Sequence, residues 1–320
     1  MDTVNTQRRK GALGVHSVNR FVFTVPDLDE AERFYAAFGL DTRRKGNQLD
    51  LHTFGHTHCW GSVIANGQPK KLQYLSFGIY EEDRAAFEQR ARQRGAVEAH
   101  PLSDGSGVWL TDGDGTPVQI VVAPKVSPSV KSPPTPQPEI AAGKPASHGR
   151  KAAPHVHPRH LSHILLFTPD VARQIEFYTQ VLGLRLSDQS SDIVAFMHGA
   201  HASDHHLVAL AKSEARGLHH SSWDVGSLHE VGLGAEQMRD RGYTRGWGLG
   251  RHVLGSNYFY YVRDPWGSYA EYSFDIDFIP VDVDWPAANH PPEDSFYVWG
   301  PPVPDEFIVN YEAAGRSSPA

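Results

Sequence analysis

The feature that most constrains this chain is an internal repeat. RFVFTVPDLDEAERFYAAFGL runs from Arg20 to Leu40, and HILLFTPDVARQIEFYTQVLGL from His163 to Leu184. Each copy has an apolar run, a Pro-Asp pair, a helical segment carrying an aromatic pair, and then Gly-Leu. Pro26-Asp27 and Pro169-Asp170 suit a strand end followed by a helix start. Phe34-Tyr35 and Phe177-Tyr178 occupy matching helix positions, and Gly39 and Gly183 suit a left-handed helix end. The repeat continues downstream. LQYLSFGI (Leu72–Ile79) matches LHHSSWDV (Leu218–Val225), each a strand leading into a helix that ends near Arg94-Gly95 or Arg241-Gly242. WLTDGDGTPVQIVV (Trp109–Val122) then matches YVRDPWGSYAEYSF (Tyr261–Phe274), each reading as a hairpin. Two modules of β-α-β type per copy predict an α+β chain, not the long alternation of a doubly wound sheet.

Between the copies lies Lys125 to His160, with eight prolines, six Lys or Arg and one Glu. Such a segment has too little apolar area to offset its ordering entropy and reads as an extended, solvated, partly polyproline linker. The expected plan is an N-terminal domain over 12–124, a basic Pro-rich linker over 125–158, a C-terminal domain over 159–280 and a tail over 281–320. The chain's 320 residues, 40% of them apolar and 21% charged, suit two domains. A net charge of -7 gives no reason to expect nucleic acid as a partner. The single cysteine, Cys59, rules out an internal disulfide and any Cys-rich metal site. After Arg8, Arg9 and Lys10 no long apolar stretch follows, and no run nears the roughly 20 residues needed to span a bilayer. No membrane association and a cytoplasmic location are therefore expected.

Comparing the copies locates the chemistry. The second copy has His163 on its first strand, His220 on the middle strand and Glu271 on the last; the first has Arg20, Tyr74 and Gln119 at those places. Only the second set can hold a divalent cation, so one metal site per chain is expected. Neighbours on a strand point to opposite faces, so one member each of His219/His220 and His205/His206 points inward, and His160 and His163 face opposite sides. Two imidazoles and one carboxylate leave positions open on a six-coordinate metal, the facial arrangement of non-haem Fe(II) oxygenases. Zinc prefers a more closed tetrahedral set, and calcium or magnesium more oxygen ligands.

The stretches HILLFTPD (His163–Asp170), HHLVAL (His205–Leu210), GLHHSSWDV (Gly217–Val225) and GRHVLGSNYFYYVRDPWGSYAEY (Gly250–Tyr272) resemble the type I extradiol dioxygenases of the vicinal oxygen chelate superfamily. The last is the most informative: His252 stands nine residues before Tyr261, and Tyr261 ten before Glu271. The resemblance implies two tandem domains of paired βαβββ modules, each a curved mixed sheet around a funnel. It implies Fe(II), with Mn(II) able to take the same ligands, held by His163, His220 and Glu271. His206, preferred to His205 for its H-x-x-A spacing to Ala209, would be the acid–base group beside O₂. His252 and Tyr261 would hydrogen-bond a catecholate. The implied reaction cleaves a catechol-type ring with O₂ beside the diol, giving a muconic semialdehyde-type product, in a homo-oligomer.

Two other readings remain at this point: a glyoxalase-like isomerase or lyase of the same superfamily, and a non-catalytic small-molecule binding protein. His198, His201 and His229 read as surface or structural residues, and His155 and His157 as part of a solvated linker. Asn257 and Arg251 are weaker pocket candidates. The tail offers Trp285, Phe296, Tyr297 or Trp299 as a roof, or else as cover for apolar sheet surface.

Overall fold

The structure is a computed structural model that describes residues 8–136 and 140–313. The first part of the Met1–Lys10 stretch, linker residues 137–139 and the tail beyond 313 lie outside the described residues.

The first sheet holds β1 (Ser17–Val25), β2 (Asp41–Lys45), β3 (Gln48–His52), β4 (Gly61–Ala65), β5 (Lys71–Ile79), β6 (Val108–Thr111) and β7 (Pro117–Val122), in the order β2-β3-β4-β1-β5-β7-β6. Helix α1 (Leu28–Phe38) follows β1 and α2 (Arg84–Arg94) follows β5. The second copy supplies β8 (His160–Thr168), α3 (Val171–Gln180), β9 (Arg185–Ser190), β10 (Val194–His198), β11 (Ser203–Asp204), β12 (Val208–Lys212), β13 (Gly217–Asp224), α4 (Leu228–Asp240), β14 (Gly246–His252), β15 (Tyr258–Arg263) and β16 (Tyr269–Phe274). The tail adds β17 (Phe278–Ile279), β18 (Ala288–Asn289) and β19 (Tyr297–Trp299). The second sheet runs β18-β9-β10-β12-β8-β13-β16-β15-β14-β19, so tail strands border it at both edges.

The α+β expectation and the curved mixed sheets are what the chain forms. One module is shorter than the βαβββ pattern: residues 95–107 carry no strand, so the module that starts at β5 has two strands after its helix. Pro101 and the positive-φ Gly105 and Gly107 make that stretch turns.

Local signals act as expected. Asp27 caps α1 by accepting from the Asp29 amide at 2.8 Å, and Asp170 caps α3 by accepting from Arg173 at 3.0 Å. Gly39 closes α1 at φ 97°. It has a second constraint, because a Cβ there would stand 2.1 Å from the Val156 carbonyl oxygen.

Alternation on the strands assigns two jobs to each sheet. In β1, Phe21 and Phe23 face the other half of the chain, and Arg20 and Val22 face their own concave side. Phe21 and Trp60 meet Trp223 at ring distances of 6.4 and 6.5 Å, Phe38 stacks on Tyr272 at 4.0 Å, and Phe77 meets Tyr178 at 6.1 Å. The halves therefore pack back to back around one continuous apolar core. Lys70 crosses this junction to a buried ion pair with Asp264 in the β15–β16 turn. Lys70→Met would leave the Asp264 carboxylate buried without its cation. The expected cost is about 3–5 kcal/mol of stability, read as a lower denaturant midpoint at unchanged slope.

The described linker residues are mostly exposed between 130 and 155, as expected of a solvated segment, but the chain is anchored at a few points. Among its described residues the linker forms only short turns. Thr135 N donates to Gly226 O at 2.6 Å, Val156 is buried with its amide on Gln237, and Lys131 and Arg150 pair with Asp275 and with Glu236 and Asp240. Its missing apolar area is replaced by backbone hydrogen bonds and surface ion pairs made to elements already folded.

Candidate metal centre

Three adjacent strands, β8, β13 and β16, form the floor of the second sheet's concave face. Ser222 lies opposite His163 on one side and Glu271 on the other. His220 precedes Ser222 by two residues and so shares its face. One rung of the sheet thus brings together all three predicted ligands. Glu271 Oε2 stands 3.3 Å from His163 Nε2 and 3.5 Å from His220 Nε2, and the two ring nitrogens are 3.3 Å apart. For metal–ligand bonds of about 2.1 Å, neighbouring ligand atoms lie roughly 3.0–3.4 Å apart. Glu271 is 0% exposed, and its Oε2 has no hydrogen-bond partner. An orphaned carboxylate oxygen facing two imidazole nitrogens is what a bound cation would satisfy.

The outer partners fix which nitrogen of each ring is bare. A carbonyl oxygen only accepts, so His219 Nε2 donates to Phe307 O at 2.7 Å. Its bare Nδ1 then takes the Nδ1 proton of His220 at 2.7 Å, leaving His220 Nε2 as a lone pair toward the cluster. Ser162 Oγ donates to Asp204 Oδ2 at 3.1 Å and lies 3.2 Å from His163 Nδ1, which can donate to it, leaving His163 Nε2 bare as well. Fixing ring orientation and tautomer from behind is the usual support of a metal-binding histidine. Asn257 Nδ2 donates to Glu271 Oε1 at 3.1 Å and holds the carboxylate in place.

Electrostatics agree with this arrangement. Burial, followed by the neighbouring imidazoles, pushes His220 and His206 well below the ordinary imidazole value, so both are neutral near pH 7. Burial pushes Glu271 up, but the closeness of the His163 ring outweighs it and holds the carboxyl below its usual range. Burial and then Glu271 push the Tyr261 phenol far up, so it remains a proton donor.

The other predicted residues surround the cluster. The His206 ring lies 4.0 Å from that of His163, and His205 turns away from the cavity. His252 donates from Nδ1 to Phe296 O at 3.0 Å, so its Nε2 accepts from the Tyr261 hydroxyl at 2.9 Å. A cavity of about 400 Å³ opens above these groups, with walls that include Leu165, Phe167, Phe196, Leu254, Phe296 and Phe307.

Several expectations change here. Of the four tail residues offered as a roof, Phe296 lines the cavity and Trp285, Tyr297 and Trp299 do not; Pro292, Ser295, Phe307 and Ile308 complete the tail's contribution. Arg251 lies outside it, binding Ser256 O at 3.1 Å and stacking 4.8 Å over Tyr258, in neither an ion pair nor the pocket. His198 and His201 are buried structural residues, not surface ones, whereas His229 is exposed. His157 binds Gly39 O at 3.0 Å. Sequence reasoning missed the supports of His163 and His220 and underrated Asn257. The only local signal for the first two was an adjacent His or Ser.

In the first sheet the equivalent rung is Arg20, Ser76 and Gln119, with Tyr74 two residues before Ser76. Val22, Ile64, Tyr74 and Trp109 fill that funnel. Asp50, His52 and Cys59 also approach one another there. Against the effect of burial, hydrogen bonds from Ser62 and Gln48 and then the charge of Arg20 hold Asp50 low. The carboxylate is already engaged, and a nearby guanidinium opposes a cation.

Paired modules around a His-His-Glu cluster define a vicinal-oxygen-chelate protein, and the model of the Glyoxalase/Bleomycin resistance protein/Dioxygenase superfamily matches residues 160–272. The chain is 50% identical over 301 residues to metapyrocatechase 2 of Cupriavidus necator, covering 93% of each. It belongs to the extradiol dioxygenase family that includes metapyrocatechase. Among solved structures it superposes on an extradiol ring-cleaving dioxygenase from B. fuscum with a TM-score of 0.73 at 19% identity, covering 95% of this chain and 84% of that one. It also superposes on a Mn(II)-bound glyoxalase from Novosphingobium aromaticivorans with a TM-score of 0.72 at 22% identity, covering 92% and 94%. At such identities these two likenesses describe the fold. No helix among the described residues is long and apolar enough to cross a membrane.

Proposed function

We propose that this protein cleaves the ring of a catechol with O₂ beside the diol, using Fe(II) held by His163, His220 and Glu271. The observation that carries this reading is the orphaned Glu271 Oε2 within 3.5 Å of two imidazole nitrogens, at the base of an apolar cavity. Fe(II) in this facial set would supply neighbouring positions for both diol oxygens and for O₂, and an electronic bridge between them. The protein groups do the rest. His252 and Tyr261, already paired at 2.9 Å, would hydrogen-bond the catecholate oxygens. His206 would hold and release a proton on the O₂ side. The apolar walls exclude water and orient the ring.

A glyoxalase-like reading has less support, because such sites usually want more carboxylate ligands and this cluster has one. Mn(II) accepts the same ligands, and which metal restores activity decides between them. The test is anaerobic Fe(II) loading followed by catechol and air. A yellow ring-fission product in an iron-dependent amount is expected; none with either metal would overturn the reading. Walls of Leu, Phe and Ile also favour alkyl- or aryl-substituted catechols. The lining lysine, Lys212, is already paired with Asp192 and stands beside Glu214, so a carboxylated catechol would bring a charge that this cavity pairs poorly. Its kcat/KM is expected to be lower by about tenfold or more, which corresponds to at least about 1.4 kcal/mol of discrimination.

A further inference from the structure

Behind His206, on the side away from the cluster, stands a chain of side chains that the proposed reaction does not yet use. His205 Nδ1 lies 3.1 Å from His206 Nδ1, and His205 Nε2 lies 2.9 Å from Asp188 Oδ2. Asp188, on β9, also accepts from Trp285 Nε1 at 3.1 Å, from the Ala288 amide at 3.1 Å and from His290 Nε2 at 2.9 Å. The last three belong to the tail, whose strand β18 pairs with β9 with Ala288 opposite Asp188. His205 is 0% exposed and Trp285 stacks edge-on against it at 5.2 Å. Gly255 closes the remaining side, where a Cβ would come within 3.3 Å of His206 Cε1.

The directions of these bonds follow from the chemistry of the groups. An ionised carboxylate only accepts. Hydrogen bonds from His205, His290 and Trp285 outweigh the effect of burial and hold Asp188 down to about 2, so it is ionised throughout the working range. His205 therefore donates from Nε2, which in the neutral ring leaves Nδ1 bare. A bare Nδ1 at 3.1 Å takes the Nδ1 proton of His206. His206 is left with Nε2 bare. This is the same arrangement of outer groups that prepares His163 and His220.

We infer that Asp188 and His205 are positioning residues for His206: anchored by Trp285 and His290 of the tail, they hold its ring with Nε2 ready to take a proton in the cavity. This rests on the ring-cleavage reading above. The tail thus serves the reaction from outside the cavity as well as roofing it with Phe296 and Phe307.

The test is a double-mutant cycle on the full-length, Fe(II)-loaded protein, with catechol as substrate. In Asp188→Asn an amide replaces an acceptor that faces four donors, and one of its two ends must then oppose a donor. A loss of about 10–100-fold in kcat is expected, as for other outer partners, with catechol KM and iron content near wild type. In a His206→Gln background the same change is expected to cost nothing further, since the group it positions is gone. Trp285→Phe removes one donor while keeping the ring, and runs the same cycle if Asp188→Asn folds poorly. A kcat unchanged in Asp188→Asn, or an equal loss in both backgrounds, would overturn the inference alone. An iron-loaded wild type that cleaves no catechol overturns the ring-cleavage reading and this inference with it.

Discussion

Glu271→Gln loses ring cleavage and metal together. The amide keeps the size of the side chain but removes the negative charge and places two N–H donors where one oxygen must face a cation. Glu271 sits 3.3 and 3.5 Å from the two imidazole nitrogens and is wholly buried, so no water can stand in for it. Altering an outer partner of a metal site costs about 10–100-fold in affinity or activity, and replacing the ligand itself costs more. The checks are iron content after anaerobic loading and the rate of yellow product formation. Asn257→Ala, which removes only the donor to Oε1, is the milder companion, with a loss expected inside the 10–100-fold range. Unchanged iron and activity in Glu271→Gln would exclude this residue as a ligand.

The second large effect is loss of stability in mild acid. Three buried histidines outside the metal cluster are kept neutral, chiefly by burial: His16 and His201 are pushed down to about 4 and His198 to about 3. In the unfolded chain each titrates near 6.5. Because the folded values are depressed, the unfolded state binds more protons below that pH, and stability falls as pH falls. Each group costs about 2 kcal/mol at pH 5 relative to neutral pH, or about 6 kcal/mol for the three. That is comparable to the whole stability of an ordinary domain. Denaturant midpoints are expected to drop between pH 6.5 and 5, by less than the three rings alone would give, because burial raises Asp204 to about 7 and its uptake of a proton offsets part of the loss. A flat profile over that span would show that these rings take up protons while folded.

The repeat was readable because both copies keep the same alternation. His163, His220 and Glu271 became legible once each was set against Arg20, Tyr74 and Gln119, and the sheet registers place these sets on equivalent rungs. What escaped depends on contacts between distant segments. The acceptor behind His219 is a backbone carbonyl at Phe307, 88 residues away, and no residue type announces it. Asp188 looks like any polar strand residue until the tail folds over it. The few anchoring points of the linker were not legible for a related reason. Composition measures the apolar area a segment brings, whereas this one is held by amides and charges on surfaces formed elsewhere.

The back-to-back packing of the two halves has a consequence for how the chain can vary. The first half's equivalent rung carries none of the predicted ligands, so Val22, Tyr74 and Trp109 in its funnel are expected to tolerate exchange with little effect on the second half. Its outer side is not free, because Phe21, Trp60 and Phe38 seal the rear of strands that carry the chemistry. The first copy thus works as a buttress, valued for the surface it turns toward its sister while its own bowl is plugged by packed side chains.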